Sequence, residues 1–101
     1  EYSVVARITH RLRSAEMKGP DGFAALAEAL HDNKRLWNIF AVDVADAANP
    51  LPRELKARIF YLAEFTHHHT RKVLAREASV EPLLDINTAI LRGLRGGAAE
   101  T

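Results

Sequence analysis

Three adjacent histidines, His67-His68-His69, are the side chains of this chain best suited to bind a metal ion. Helical metal sites place their ligands about one turn apart, because consecutive helical residues point about 100° apart and cannot all reach one ion. Glu64 has a suitable spacing to His67 and to His68, but no third ligand is visible. We therefore expect no metal site, with His69 at the edge of the core and the other two histidines in solvent.

Other catalytic chemistry is also absent from the pattern. Asp43 and Asp46 could act as an acid–base pair only in a concave pocket that shifts their pKa values, and the sequence indicates no such pocket. Ser79 has no partner at a recognisable motif spacing, and there is no glycine-rich phosphate loop. The chain has no Cys, which excludes disulfides, thiolate zinc sites and a Cys nucleophile. We expect a protein that is not an enzyme and has no cofactor.

A local excess of positive charge is the remaining chemical signal. Six basic and two acidic residues lie between Arg53 and Arg76, and such a bias could contact phosphates. Tyr61 and Phe65 could stack on bases, but no RNA-binding module signature is present. A solvated polar face is the simpler interpretation, and direct RNA contact is kept as an alternative.

Length and composition indicate one globular domain. The chain has 101 residues, 48% of them hydrophobic, and a net charge of +1. No apolar run approaches the roughly 18 residues of a membrane span, and no signal peptide is visible, so we expect no membrane association. Since the first residue is Glu1 and not Met, we expect native residues to precede it.

Apolar residues recur at helical spacing in four segments. Predicted helices cover residues 4–17, 21–48 and 52–77, and a fourth begins after Ser79 as its N-cap. Gly93, Gly96 and Gly97 are expected to end the fourth helix. The fold class predicted is all-α, a small bundle of three to four helices with one or two long antiparallel helices. The domain is expected over residues 1–95, with a flexible tail over 96–101.

The second predicted helix has two apolar faces. Its main stripe is Leu26, Leu30, Asn33, Trp37, Phe40 and Val44, at alternating four- and three-residue steps. Asn33 could fix the register of this stripe or lie at its edge, and the edge is the favoured interpretation. Leu36, Ile39 and Val42 form the second face, to be covered either by the fourth helix, which we favour, or by a partner.

The third predicted helix has a comparable stripe. Its predicted buried face contains Leu55, Ile59, Leu62, Thr66, His69 and Val73, while Phe60 and Tyr61 point to the outer side. If the second and third helices pack through their stripes, Ile39, Val42, Phe60 and Tyr61 all face outward. These four residues are the predicted partner-binding residues.

A short series of motifs resembles a known family. Leu36, Trp37, Phe40 and Asp43, then a break at 49–50, then Pro52 and Leu55, resemble the flagellar biosynthesis regulator FlaF family of alphaproteobacteria. Residues 79–88 resemble the distal part of that family, and the likeness covers about residues 5–95. The six named motif residues are expected to be structural.

The resemblance implies a function that the residues alone do not. FlaF-like proteins are small, cytoplasmic and non-enzymatic, and they are thought to bind flagellin and support its synthesis and export as a chaperone would. They work with or against a second regulator, FlbT, which lowers translation of flagellin mRNA. The expected partners are therefore flagellin and an FlbT-like regulator; the alternative is an RNA-contacting regulator of flagellin mRNA translation.

Overall fold

The computed structural model describes residues 2–100, with side chains described for residues 2–93. Over that range the chain forms four α-helices and no strand, which confirms the predicted fold class. The helices are α1 (Tyr2–Met17), α2 (Phe23–Ala45), α3 (Arg53–Leu74) and α4 (Glu81–Glu100). A 3-10 helix, Gly19–Gly22, joins α1 to α2.

The helices form a flat body that measures 43 × 27 × 16 Å. The longest helices, α2 and α3, pack against each other as a hairpin, α1 packs on α2, and α4 packs mainly on α1. Their shared core contains ten buried apolar side chains: Val5, Ile8, Leu12, Ala29, Leu30, Leu36, Val73, Val80, Leu83 and Leu84. Hydrophobic burial of this set is the main favourable term for folding.

The predicted stripe of α2 describes the core well, and in α1 the apolar residues at helical spacing are buried in the same way. Val5, Ile8, Leu12 and Ala15 of α1 are all buried. In α2, Leu30 and Trp37 are buried, and Phe40 is half-buried against the core. The spacing was sufficient here because the main apolar stripe of each helix is the one that faces the core.

Asn33 lies inside the core and not at its edge, which corrects the favoured interpretation. It is fully buried, and its Oδ1 accepts a hydrogen bond of 2.8 Å from Asn87 Nδ2 of α4. Asn87 Oδ1 in turn accepts one of 2.9 Å from Trp37 Nε1. A buried polar group requires such partners. The Trp37–Asn87–Asn33 chain therefore fixes the position of α4 relative to α2.

The loop between α2 and α3 begins earlier than predicted. α2 ends at Ala45 and not at Ala48, because the backbone of Asp46 is extended. Two side chains then hold the loop: Asp46 Oδ1 accepts from the N–H of Ala48 at 2.9 Å, and Asn49 Oδ1 accepts from the N–H of Leu51 at 3.0 Å. Asp and Asn favour such turns, which compete with continued helix.

The start of α3 also differs by one residue. Pro52 is the N-cap of α3 and not a first-turn residue, and its carbonyl accepts a hydrogen bond from the N–H of Lys56. Asn49 is tied to both helices, since its Nδ2 donates to the carbonyl of Asp43 and its carbonyl accepts from Lys56 Nζ. These hydrogen bonds hold the loop of the α2–α3 hairpin to both of its helices. We call this loop and the helical turns next to it the hairpin end.

At its other end, α3 stops at Leu74, three residues before the predicted end. Arg76 has a left-handed φ of 62°, the N–H of Glu77 donates to the carbonyl of Lys72, and that of Arg76 donates to Val73. This is the Schellman pattern, which usually has Gly at the left-handed position. The Arg76 guanidinium lies 4.4 Å from the centre of the Phe23 ring, a cation–π contact that offsets the backbone strain.

Both ends of α4 differ from the prediction. The residue at the N-cap position is Val80 and not Ser79, since the carbonyl of Val80 accepts hydrogen bonds from the N–H groups of Leu83 and Leu84. Ser79 Oγ accepts a hydrogen bond of 3.0 Å from the N–H of Glu81, the first residue of α4. α4 continues past Gly93 to Glu100, so Gly93 does not end it. The side chains of residues 94–100 lie outside the described residues, and the tail over 96–101 stays a prediction.

Candidate functional site

The histidines do not form a metal site with other ligands. Among residues 2–93 no group of three or more His, Asp or Glu side chains is placed to hold a metal ion. His69 instead stacks on Phe65, with ring centres 5.2 Å apart, and its Nε2 donates to the carbonyl of Ser79 at 2.7 Å. His69 is therefore half-buried at the edge of the core, as predicted, and joins α3 to the start of α4.

Exposed apolar side chains are concentrated at the loop end of the α2–α3 hairpin. Ile39 is 56% exposed, Val42 64%, Phe60 43% and Tyr61 67%. Leu51 and Leu55 are also exposed there. Helix α1, with 16 residues, spans about 24 Å, whereas α2, with 23, spans about 34 Å, so α1 leaves part of α2 uncovered.

A shallow open groove of about 460 Å³ runs between the two helices of the hairpin. We call it the hairpin groove. Helix α2 contributes Asn38, Ala41, Val42 and Ala45. Helix α3 contributes Phe60, Ala63, Glu64, His67, His68 and Arg71.

The structure brings together two of the four predicted partner-binding residues. Val42 and Phe60 line the hairpin groove from opposite helices, whereas Ile39 and Tyr61 are not part of its lining. The residue spacing predicted that Ile39 and Val42 of α2 and the two aromatic residues of α3 lie on separate outer faces. It did not predict a groove between the helices. The sequence did contain a signal for the α3 side of the groove. Phe60, Glu64, His67 and Arg71 follow one another at four-, three- and four-residue steps, so they lie on one face of the helix.

The favoured expectation that the second face of α2 is covered was wrong for Ile39 and Val42. Leu36, the third residue of that face, is buried in the core. The fourth helix does not cover Ile39 and Val42, because it packs mainly on α1 and reaches α2 through Asn87. In the described part of the chain, no helix covers this end of the hairpin.

The predicted stripe of α3 fails at its first residue for a related reason, whereas Thr66 and Val73 are buried as predicted. Leu55 is 42% exposed, although it was predicted to be buried. The buried residues of α3 are Ala63, Thr66, Thr70 and Val73, and none lies in its first ten residues. The first turns of α3 lie at the hairpin end, beyond the part that the other helices cover.

The six motif residues lie at different places in the fold. Leu36 and Trp37 are buried, and Phe40 contacts Trp37 edge-on at 5.2 Å. The carbonyl of Asp43 accepts hydrogen bonds from the loop. Pro52 and Leu55 belong to the hairpin end, where Pro52 caps α3 and Leu55 adds to the exposed apolar surface.

The electrostatics of the hairpin groove differ along its length. Partial burial, followed by the charges of Lys34 and Arg71, lowers the pKa of His67, while Glu64 acts in the opposite direction. His67 is thus half-buried, in contrast to the expectation that it lies in solvent; His68 is exposed, as expected. The groove combines an apolar end at Val42 and Phe60 with a positive end near Arg71.

No helix among the described residues has the length and apolarity to cross a membrane. This agrees with the distribution of charges, since each helix has polar residues on at least one face.

Comparison with known proteins connects this architecture to one family. The family model described as flagellar protein FlaF matches residues 1–94 of the chain. No curated protein and no solved structure matches the chain. The match includes all six motif residues and both helices of the hairpin. FlaF is a flagellar regulatory family and not a known enzyme family. The chain therefore belongs to the FlaF family of flagellar proteins.

Proposed function

We propose that this protein is a non-enzymatic adaptor that binds flagellin in the cytoplasm and supports its synthesis and export. Flagellin has amphipathic terminal segments that form coiled coils in the filament and must stay unassembled before export. A small helical protein can shield such a segment by accepting its apolar face between two helices. In this proposal, flagellin is the partner, and an FlbT-like regulator acts with the complex.

One observation carries the proposal: the exposed apolar residues at the end of the hairpin. Ile39, Val42, Phe60 and Tyr61 are each at least 43% exposed on the two neighbouring helices α2 and α3, and Val42 and Phe60 line the hairpin groove together. Aromatic and aliphatic residues grouped on a small domain are typical of a protein-binding surface. The hydrogen-bonded loop holds these helices in place, so little ordering is required on binding.

The double change Phe60→Ser, Tyr61→Ser tests this function. We expect flagellin affinity to fall about tenfold or more, because aromatic anchors near an interface centre often contribute about 2 kcal/mol or more. The thermal unfolding temperature should change little, because both side chains are substantially exposed. Affinity is measured by titration calorimetry with purified, unpolymerised flagellin.

Met17→Ser is the control. Met17 is 81% exposed and lies at the end of α1, next to the start of α2, whereas the hairpin loop follows the other end of α2. Flagellin affinity should be unchanged in this variant. If both variants bind flagellin as the wild type does, the hairpin end is not the binding surface. If the double variant unfolds, single changes at Tyr61 and Ile39 provide the same comparison.

Salt dependence separates this function from the RNA alternative. Phosphate contacts release counterions, so RNA affinity falls steeply with salt, whereas burial of apolar surface is far less sensitive. Binding of flagellin mRNA with a steep salt dependence, together with no binding of flagellin, would favour the RNA-contacting regulator.

A further inference from the structure

The two ends of the hairpin groove differ in chemistry. Toward the loop, the lining side chains Val42, Ala45 and Phe60 are apolar. Toward the other end, the lining contains His67, His68 and Arg71, and Glu64 is its one carboxylate. A ligand that fits the whole groove must therefore be apolar at one end and negatively charged at the other.

The positive end is available to a partner. Among residues 2–93, the salt bridges present are those of Arg11 with Glu28 and Asp32, so Arg71 and Lys34 have no acidic partner within that range. Partial burial, and then the charges of Lys34 and Arg71, lower the pKa of His67, while Glu64 acts in the opposite direction. A carboxylate from outside would gain the attraction of both charges in a partly enclosed site.

The dimensions favour a helix as the ligand. From Phe60 to Arg71 the groove follows 12 residues of α3, a rise of about 16 Å or three helical turns. A third helix placed between two packed helices buries one apolar stripe and leaves its other faces in water.

We propose that the hairpin groove binds an amphipathic helix of flagellin that has acidic residues at one end of its apolar stripe. The stripe lies between Val42 and Phe60, and the carboxylates meet Arg71 and Lys34. This inference rests on the proposed function and adds the chemistry and orientation of the bound segment. Because only one end of the groove is positive, the segment binds in one direction.

Charge reversal at Arg71 tests this arrangement. Arg71→Glu should lower flagellin affinity about tenfold at low salt, because it places a negative charge against the partner's carboxylates. Lys72→Glu is the matched control: it is the next residue in the last turn of α3 and makes the same charge change, but it does not line the groove. The affinity of Lys72→Glu for flagellin should stay close to that of the wild type. Circular dichroism checks that both variants remain folded.

Two designed amphipathic peptides supply a second measurement. They share one apolar stripe and differ only in having Glu or Lys at one end. The wild-type protein should bind the Glu peptide more tightly, and Arg71→Glu should reverse this preference.

The other outcomes overturn the proposal in distinguishable ways. If Arg71→Glu and Lys72→Glu both bind flagellin normally while Phe60→Ser, Tyr61→Ser does not, flagellin binding stands and the acidic contact is wrong. If both charge variants weaken binding equally, α3 attracts its partner only through its overall positive charge. That result is expected for a surface that binds nucleic acid. Equal affinity for the two peptides likewise contradicts the orientation.

Discussion

Replacing Trp37 with Ala is expected to destabilise the protein by about 3–5 kcal/mol, which is close to the whole stability of many small domains. Trp37 is 1% exposed, contacts Phe40 edge-on, and donates to Asn87. The change therefore removes a large buried side chain and leaves Asn87 Oδ1 without its donor. Thermal unfolding followed by circular dichroism should show a midpoint lowered by more than about 12 °C, or no folded state at all.

Trp37→Phe separates packing from hydrogen bonding. It keeps most of the apolar volume but removes the Nε1 donor, so we expect a smaller loss of about 1–2 kcal/mol. If Trp37→Ala melts within a few degrees of the wild type, Trp37 does not hold α4 against α2, and the described core is wrong.

The second large effect is expected at Gly22, between α1 and α2. Gly22 is buried, and a Cβ added there would collide with the carbonyl oxygen of Ala15 and approach Lys18 Cβ to 2.8 Å. Since the first obstacle is backbone, α1 must move, and we expect Gly22→Ala to cost about 3 kcal/mol, toward the upper part of the range for overpacking. Urea unfolding gives the free energy directly.

Gly93→Ala provides the control for this substitution. No atom lies within 4 Å of a Cβ added at Gly93, and the residue is within α4. The same chemical change should therefore stabilise the protein by about 0.5–1 kcal/mol through helix propensity. Equal effects at the two glycines would show that α1 and α2 do not approach closely at Gly22.

The sequence predicts the helices because each has a regular apolar face. It fails where the deciding partner is distant along the chain. Asn33 is a polar interruption until it is paired with Asn87, 54 residues away. Arg76 lacks the Gly that usually marks a helix end, and its left-handed conformation is supported by Phe23, which is far away in sequence.

At the candidate site too, local features could be predicted from the sequence and contacts between distant residues could not. Exposure of Phe60 and Tyr61 follows from their position off the main stripe, and it is confirmed. The meeting of Val42 with Phe60 in one groove could not be predicted, because it depends on the rotation of α2 against α3. Likewise, Leu55 has the spacing of a core residue, but the other helices do not extend far enough to cover it.

Site-specific photo-cross-linking tests the central claim most directly, namely that flagellin binds at the hairpin end. A photoreactive amino acid replaces Val42 in one protein and Arg13, an exposed residue of α1, in another. Each protein is mixed with unpolymerised flagellin and irradiated. We expect a cross-linked product from position 42 and little or none from position 13. A product from position 13 with none from position 42 would place the flagellin contact on α1 and contradict the account.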